Sequence, residues 1–211
     1  MPPLSKPFSL RELIPAFGER HSEYNLSGEL RAPLSDVRRL LEEVLHLTPT
    51  GFNVQPVRMV LLSGRKNVEH WDLIAGMLKR KIGEERYRKS NAYHLIEEVA
   101  KQAVGTVLFF DDPEETERMM REKAQYRDNF LNWAQQAQGS HQFMVWLGLR
   151  VLGYGANLQH YIGMEDDLVK RHVGVPENWN FVAHMMFGSI IEPAQAKEKK
   201  PIEELLKVYE D

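Results

Sequence analysis

The sequence predicts a mixed α and β protein, an α/β or α+β sheet covered by helices, on three observations. Short apolar runs bounded by turn residues, "VRMVLLSG", "VGTVLFFDDP" and "NFVAHMMFG", have the length and β-branched or aromatic content of buried strands. Segments with helical apolar spacing lie between them. A chain of 211 residues with 43% hydrophobic and 27% charged residues can bury one core, or share a core with a second subunit. No internal repeat, low-complexity tract or long connector divides it, so residues 1–211 read as a single domain.

The first residues, "MPPLSKPFSLRELIPAF", lack the basic start and continuous apolar core of a secretory leader, and no run approaches the length of a membrane span. In "PLSDVRRLLEEVLHL", Val37, Leu40, Leu41, Val44 and Leu45 follow the three-four spacing of one helical face, with Ser35 placed to cap an orphan N–H. The loop "TPTGFNVQPVR", residues 48–58, leads into the first buried strand, which Gly64 closes before the helix "NVEHWDLIAGMLKRKI". The second strand ends in "DDP" and a polar helix follows over roughly 113–124. "SHQFMVWLGLRVLGYG" is apolar almost all round, which predicts a helix buried on most sides, with Ser140 as a cap and Gly153 near the C-terminus. "ANLQHY", a helix over "EDDLVKRHV", the third strand and a charged tail, "KEKKPIEELLKVYED", complete the chain.

Composition and missing motifs exclude several functions. The absence of cysteine removes disulfides, thiolate metal sites and thiol nucleophiles, and fits a reducing, cytoplasmic location. The formal charge of −3 comes from 27 basic and 30 acidic residues spread along the chain, so no global field points to nucleic acid or membrane. "GYGANL" follows a helix and lacks the third glycine of a Rossmann turn, and no P-loop is present. The eight histidines show no H-E-x-x-H spacing, so no metal is expected and they read as structural. No G-x-S-x-G elbow supports a serine hydrolase.

Three constellations remain. In "ERHSEYN", Arg20, His21 and Ser22 supply a permanent cation, an imidazole and a hydroxyl, a set suited to phosphate, although a solvated turn would look the same. In the loop, Pro49, Gly51 and Pro56 explain a bend, but Asn53 and Gln55 do not follow from it. In an extended chain these two amides project to one side, where each offers a donor and an acceptor to a flat heteroaromatic edge; the plain alternative is that they bond nearby backbone. In "KEKKP", Lys197 and Lys199 share a side if extended and could add charge to a phosphate site, or simply be solvated.

Taken together, R-H-S, a helix, P-[ST]-x-x-N-x-Q-P before a strand, a buried helix ending L-G-x-x-A and a K-x-[KR] tail resemble the FMN-dependent nitroreductases over nearly the whole chain. "GTVLFFDD", "YRDNFLNWAQQAQGSHQFMVWLGLRVLGYGANLQHY" and "VPENWNFVAHMMFG" are most similar to the short branch of bacterial proteins and fungal proteins named for fatty-acid repression. The resemblance implies an α+β nitroreductase-like fold, with a central, mainly antiparallel sheet covered by helices, in an intertwined homodimer with FMN at each of two interface sites. It assigns Arg20, His21 and Ser22, with Lys197 and Lys199, to the phosphate and ribityl chain. Pro49, Thr50, Gly51, Asn53 and Gln55 match the loop lent by the partner chain, and Leu158, Gln159, His160 and Tyr161 the segment along the isoalloxazine. Tyr24 stands where many relatives carry a lysine near the flavin N1, and His160 and Tyr161 where they often carry an acid and glycine. Both departures bear on redox potential and access.

The implied activity is ping-pong: NADH or NADPH passes hydride to flavin N5, and a nitroaromatic or quinone-like acceptor then takes it. No side chain is an obligatory acid or base in this scheme. Tyr161 and Trp133 are candidate acceptor-pocket residues, or packing residues. The alternative is an FMN-binding redox sensor or regulator with little turnover.

Overall fold

The computed structural model describes residues 10–164, 166–195 and 197–210. The opening nine residues used against a leader, and Glu165 at the start of the predicted "EDDLVKRHV" helix, lie outside the described residues. In chain order the elements are α1 (Leu10–Glu19), β1 (Leu26–Ser27), α2 (Leu34–Leu47), β2 (Val57–Ser63), α3 (Arg65–Ile82), α4 (Glu84–Arg88) and α5 (Asn91–Tyr93), which runs into a π-helical stretch, His94–Ala100. Next come β3 (Gly105–Asp111), α6 (Pro113–Glu122), α7 (Arg127–Val151), β4 (Gly155–Gln159), α8 (Asp166–Val173), β5 (Asn180–Ile190) and α9 (Ile202–Leu205). No described helix is long and apolar enough to cross a membrane.

Every strand pair is antiparallel: β2 with β3, β3 with β5, and both β4 and β1 with β5. The α+β class and the antiparallel sheet expected from the resemblance are therefore both present. Alternation along β3 explains why its sequence is apolar without a break. Val107 and Phe109 face one core, with Val37, Leu41 and Val44 of α2 and Val145 and Leu149 of α7. Leu108 and Phe110 face the other, with Trp71, Ile74 and Met77 of α3 and Val169 of α8. Helices cover both faces of the sheet, so neither face of the central strands needs polar residues.

The second core contains a fully partnered polar relay. Trp71 Nε1–H donates to Thr106 Oγ1 (2.9 Å), the Thr106 hydroxyl donates to Asn67 Oδ1 (2.6 Å), and Asn67 Nδ2 donates to the Ala100 carbonyl (2.8 Å). All of these side chains are buried, so the relay fixes α3 against β3 and the π-helical stretch. Asn67→Ala strips partners from Thr106 and Ala100, and should destabilise the chain by roughly 2–4 kcal/mol. A urea-unfolding midpoint unchanged from wild type would rule out that contribution.

Four expectations are corrected here. Ser35 is not a cap: α2 begins at Leu34 with no side-chain cap, and the Pro33 carbonyl accepts from the amides of Asp36 (2.9 Å) and Val37 (3.4 Å). Proline's restricted φ, −58° here, sets the chain's entry into the helix instead. Ser140 is not a cap either, because α7 starts at Arg127, and its hydroxyl donates back to the Gln136 carbonyl (3.0 Å). Nor is this helix buried on most sides in one chain. Phe143, Met144 and Val151 stand exposed, the last two on a mainly apolar groove lined also by Leu40, Val44, Leu147 and Leu152, with Asp36, Arg39 and Glu43 at it. The loop at residues 50–55 is a turn with left-handed residues, not an extended segment.

Gly153 does end α7 as expected. With φ of +86° it occupies the left-handed position that a side chain disfavours. The Tyr154 amide donates to Leu149 O (2.9 Å) and the Gly153 amide to Arg150 O (3.0 Å), which turns the chain directly into β4.

Candidate functional site

Behind α1 the chain straightens and lies beside β4. Ser22 forms a parallel bridge with Ala156, the Glu23 amide donates to Ala156 O (3.0 Å), and Asn157 Nδ2 donates to Glu23 O (3.3 Å). Trp146 of α7 donates from Nε1 to the His21 carbonyl (3.2 Å), and its ring lies 4.6 Å beneath the Arg20 guanidinium. That stacking orients Arg20 without neutralising it. Glu19 pairs instead with Arg150 (3.0 Å), and among the described residues the Arg20 guanidinium has no carboxylate partner.

The C-terminal tail is tied to the same segment. The Ile191 amide donates to Asn25 O (3.0 Å), and the Ala194 amide donates to Oε2 of the buried Glu23 (2.7 Å). Lys197 follows three residues later, within about 10 Å of chain. Lys197 and Lys199 are exposed, lie in non-helical chain and have no ion-pair partner among the described residues. Two cation-bearing segments far apart in sequence thus leave the sheet side by side, with the exposed Tyr24 between Glu23 and Asn25.

The loop at residues 48–58 is not extended, so alternation does not aim its amides. Gly51–Asn53 is a 3₁₀ turn, and Phe52, Asn53 and Gln55 have φ of +53°, +55° and +52°. Left-handed backbone costs an ordinary L residue about 1–2 kcal/mol, and Gln55 also precedes a proline. The surroundings enforce it. Thr50 Oγ1 accepts from the Gln55 amide (3.0 Å), and Arg58, held by Asp112 (2.8 Å), donates to Gln55 O (2.7 Å). Phe52 packs on Tyr126, Phe130 and Trp133 at 5.3–5.7 Å between ring centroids. The Asn53 and Gln55 side-chain amides are exposed and have no hydrogen-bond partner among the described residues. Strain maintained by neighbours around free polar groups is a mark of a binding loop. It also disposes of the plain alternative that these amides merely bond to nearby backbone.

At the end of β4, Leu158 packs on the α2–α7 side of the sheet, while the Gln159 side chain donates from Nε2 to Asn157 Oδ1 and so joins the Glu23 system. His160 is exposed. Tyr161 is half-buried, edge-on to Trp71 (6.1 Å) and His184 (6.0 Å), and burial pushes its phenol up to about 12, so it is a neutral donor at physiological pH. Both aromatics considered for an acceptor pocket therefore pack: Tyr161 on the α3 core and Trp133 on the loop.

The candidate residues form two groups in one chain. Arg20 and His21 lie on Trp146, and the segment they open runs beside β4, which ends in Leu158–Tyr161, and anchors the root of the lysine tail, whereas the Pro49–Gln55 loop packs on Trp133. The rise along α7 from Trp133 to Trp146 is about 20 Å. Glu23 and Trp146, which position the first group, had no signal in sequence, since a buried acid in a polar run and one aromatic in an apolar helix break no pattern. Three histidines that sequence spacing leaves scattered, His70, His172 and His184, also come together.

Comparison with known proteins agrees with this fold. A model described as "Nitroreductase family" matches residues 18–189. The nitroreductase FRM2 of Saccharomyces cerevisiae is 32% identical over 198 residues, 92% of this chain and 95% of that protein. The putative nitroreductase HBN1 of the same yeast is 28% identical over 180 residues, 84% and 88% of the two chains. Among solved structures, nitroreductase CinD from Lactococcus lactis in complex with 4-nitrophenol covers 94% of this chain and 100% of its own, at 31% identity and TM-score 0.83.

Proposed function

Since the chain belongs to the nitroreductase family, we propose that it acts as a homodimeric NAD(P)H oxidoreductase in which one FMN is held by two chains. It is a flavin-dependent oxidoreductase of nitroreductase type, and residues 1–211 form a single FMN-binding domain. The observation that carries the two-chain reading is the separation along α7: the cations suited to the phosphate lie near one end and the strained loop whose amides, among the described residues, have no partner lies near the other, which places the two halves of the donor set apart in one chain. A second copy seated on the exposed apolar strip of α7 would bring its loop to the first copy's cations.

The donor set fits FMN. Arg20, Lys197 and Lys199 have no ion-pair partner among the described residues and suit a phosphate dianion, His21 and Ser22 suit phosphate and ribityl oxygens, and Asn53 and Gln55, with Pro49, Thr50 and Gly51 of the same loop, suit the polar edge of the ring. When bound, FMN supplies two-electron chemistry, accepting hydride from NADH or NADPH at N5 and yielding it to an electron acceptor. The protein's own work is binding and orientation. Leu158–Tyr161 would wall one side of the ring, and Tyr24 in place of a lysine would supply no cation to favour charge on the reduced ring, which would make reduction harder than with lysine. Trp133 and Phe52 hold the loop in its binding conformation. CinD's complex with 4-nitrophenol supports a nitroaromatic acceptor, and a quinone presents a similar flat, electron-poor ring.

The test is spectroscopic. Purified protein should show flavin absorption that bleaches on anaerobic addition of NADH or NADPH and returns on addition of 4-nitrophenol or a benzoquinone. Bound flavin that bleaches but drives no acceptor turnover would favour a redox sensor, and colourless protein after FMN reconstitution would sink both readings.

A further inference from the structure

Behind the Leu158–Tyr161 segment lies a group of three imidazoles that the proposed chemistry does not use. His70 of α3 and His184 of β5 are completely buried, with ring centroids 5.0 Å apart, and His172 of α8 lies 6.0 Å from His70. Five ring nitrogens are buried without a hydrogen-bond partner: both of His70, both of His184 and Nε2 of His172. Among the described residues no group of three or more ligating side chains is arranged to hold a metal. Trp71 (5.1 Å), Phe181 (4.6 Å) and Tyr161 (6.0 Å) surround His184, and Gln159 is its cross-strand partner on β4. An aromatic, carboxylate-free setting gives a protonated ring no counter-charge, and the Gln159 backbone beside His184 offsets only part of the cost of burial.

The charges around the cluster are accounted for by element. From α3, Lys66 and Glu69 pair with each other at the surface (2.8 Å), and Asp72 pairs with Lys101 (2.6 Å). From α8, Lys170 is engaged by Asp167 (2.8 Å) and the Glu177 carbonyl (2.6 Å). From the β4 end come His160 and the neutral phenol of Tyr161; from β3, the residue opposite His184 is Leu108. Burial and the nearby His172 bring His70 down to about 3, and burial with the neighbouring His70 holds His184 well below the usual imidazole range.

We propose that His70, His172 and His184 form an acid-sensitive latch behind the cofactor wall, whose protonation frees the Gln159–Tyr161 segment and releases bound flavin before the sheet unfolds. The release step rests on the reading that Leu158–Tyr161 lines FMN; the latch itself does not. The sign follows from proton binding. An unfolded chain takes up a proton at His70 near pH 6.5 and the folded chain resists it until about pH 3, with burial opposing protonation of His184 in the same direction, so the stability His70 contributes is complete above 6.5 and falls away through that window. The first event is local because α8, which carries His172, and β4, which pairs only with β5 among the described strands and leads into the Gln159–Tyr161 segment, lie at the sheet's periphery.

Two measurements on wild type, His70→Leu and His70→Gln separate the possibilities. In holoprotein, retained FMN is followed by ultrafiltration from pH 8 to 4.5; release in the variants should need a pH lower by about one unit. In flavin-stripped protein, Tm is followed over the same range, and wild type should lose roughly 5–10 °C more than the variants. Equal acid release and equal Tm slopes in all three proteins would overturn the latch. Protein that never binds FMN, yet shows the differing Tm slopes, would instead defeat the cofactor reading and leave the latch standing. The glutamine variant covers the case in which leucine fails to fold.

Discussion

Protein carrying Met144→Arg and Val151→Arg is expected to run as a monomer and to come through purification without flavin. In a single chain these side chains are 42% and 72% exposed, so two arginines there leave the chain's own cores untouched. They also border the apolar groove of Leu40, Val44, Leu147 and Leu152. If a second copy covers that groove, two-fold symmetry brings each new charge into the interface twice. An uncompensated buried charge costs roughly 3–5 kcal/mol, enough to raise the dimer dissociation constant by about 150- to 5,000-fold. Sedimentation velocity reads the assembly and circular dichroism reads the fold. A folded variant that remains dimeric would show that this strip is not where copies meet.

The second large effect is expected at Arg20. Its guanidinium stacks on Trp146 but has no anionic partner among the described residues, so it is oriented and still carries its full charge for a ligand. Arg20→Ala should weaken FMN binding by roughly 1–3 kcal/mol, or about 5- to 150-fold. Arg20→Lys should recover part of this, because a point charge persists while planar stacking is lost. Arg38→Ala is the control, since Arg38 is an exposed residue of α2 already paired with Glu42 (2.8 Å). Flavin fluorescence titration measures all three, and equal affinities would remove Arg20 from the phosphate site.

The elements legible in sequence are those whose physics is local or periodic. Val107, Leu108, Phe109 and Phe110 form a continuous apolar run because helices cover both faces of the sheet, and the α2 stripe of Val37, Leu41 and Val44 faces one core. Strand β4, "GANLQ", was not legible as a strand: buried Asn157 is satisfied by Glu23 and Gln159, and no window of sequence contains that arrangement. The start of α7 was missed because "RDNFLNWAQQAQ" is mostly polar, and its burial comes through Phe130 and Ala134 packing against distant partners.

For the site, residue types were enough to select Arg20, the amides of the loop and the lysines of the tail, because charge and hydrogen-bonding capacity belong to a side chain wherever it sits. Sequence also determined the alternation of strands and helices, since burial periodicity is set by backbone geometry. Only the tertiary structure decided that Glu23 would anchor the tail beside Arg20, that Asn53 and Gln55 would stand free on left-handed backbone, and that His70 would meet His172 and His184 across about a hundred residues of chain. Those outcomes depend on contacts between segments remote in sequence, and nothing in the local spacing of residues encodes a distance of that kind.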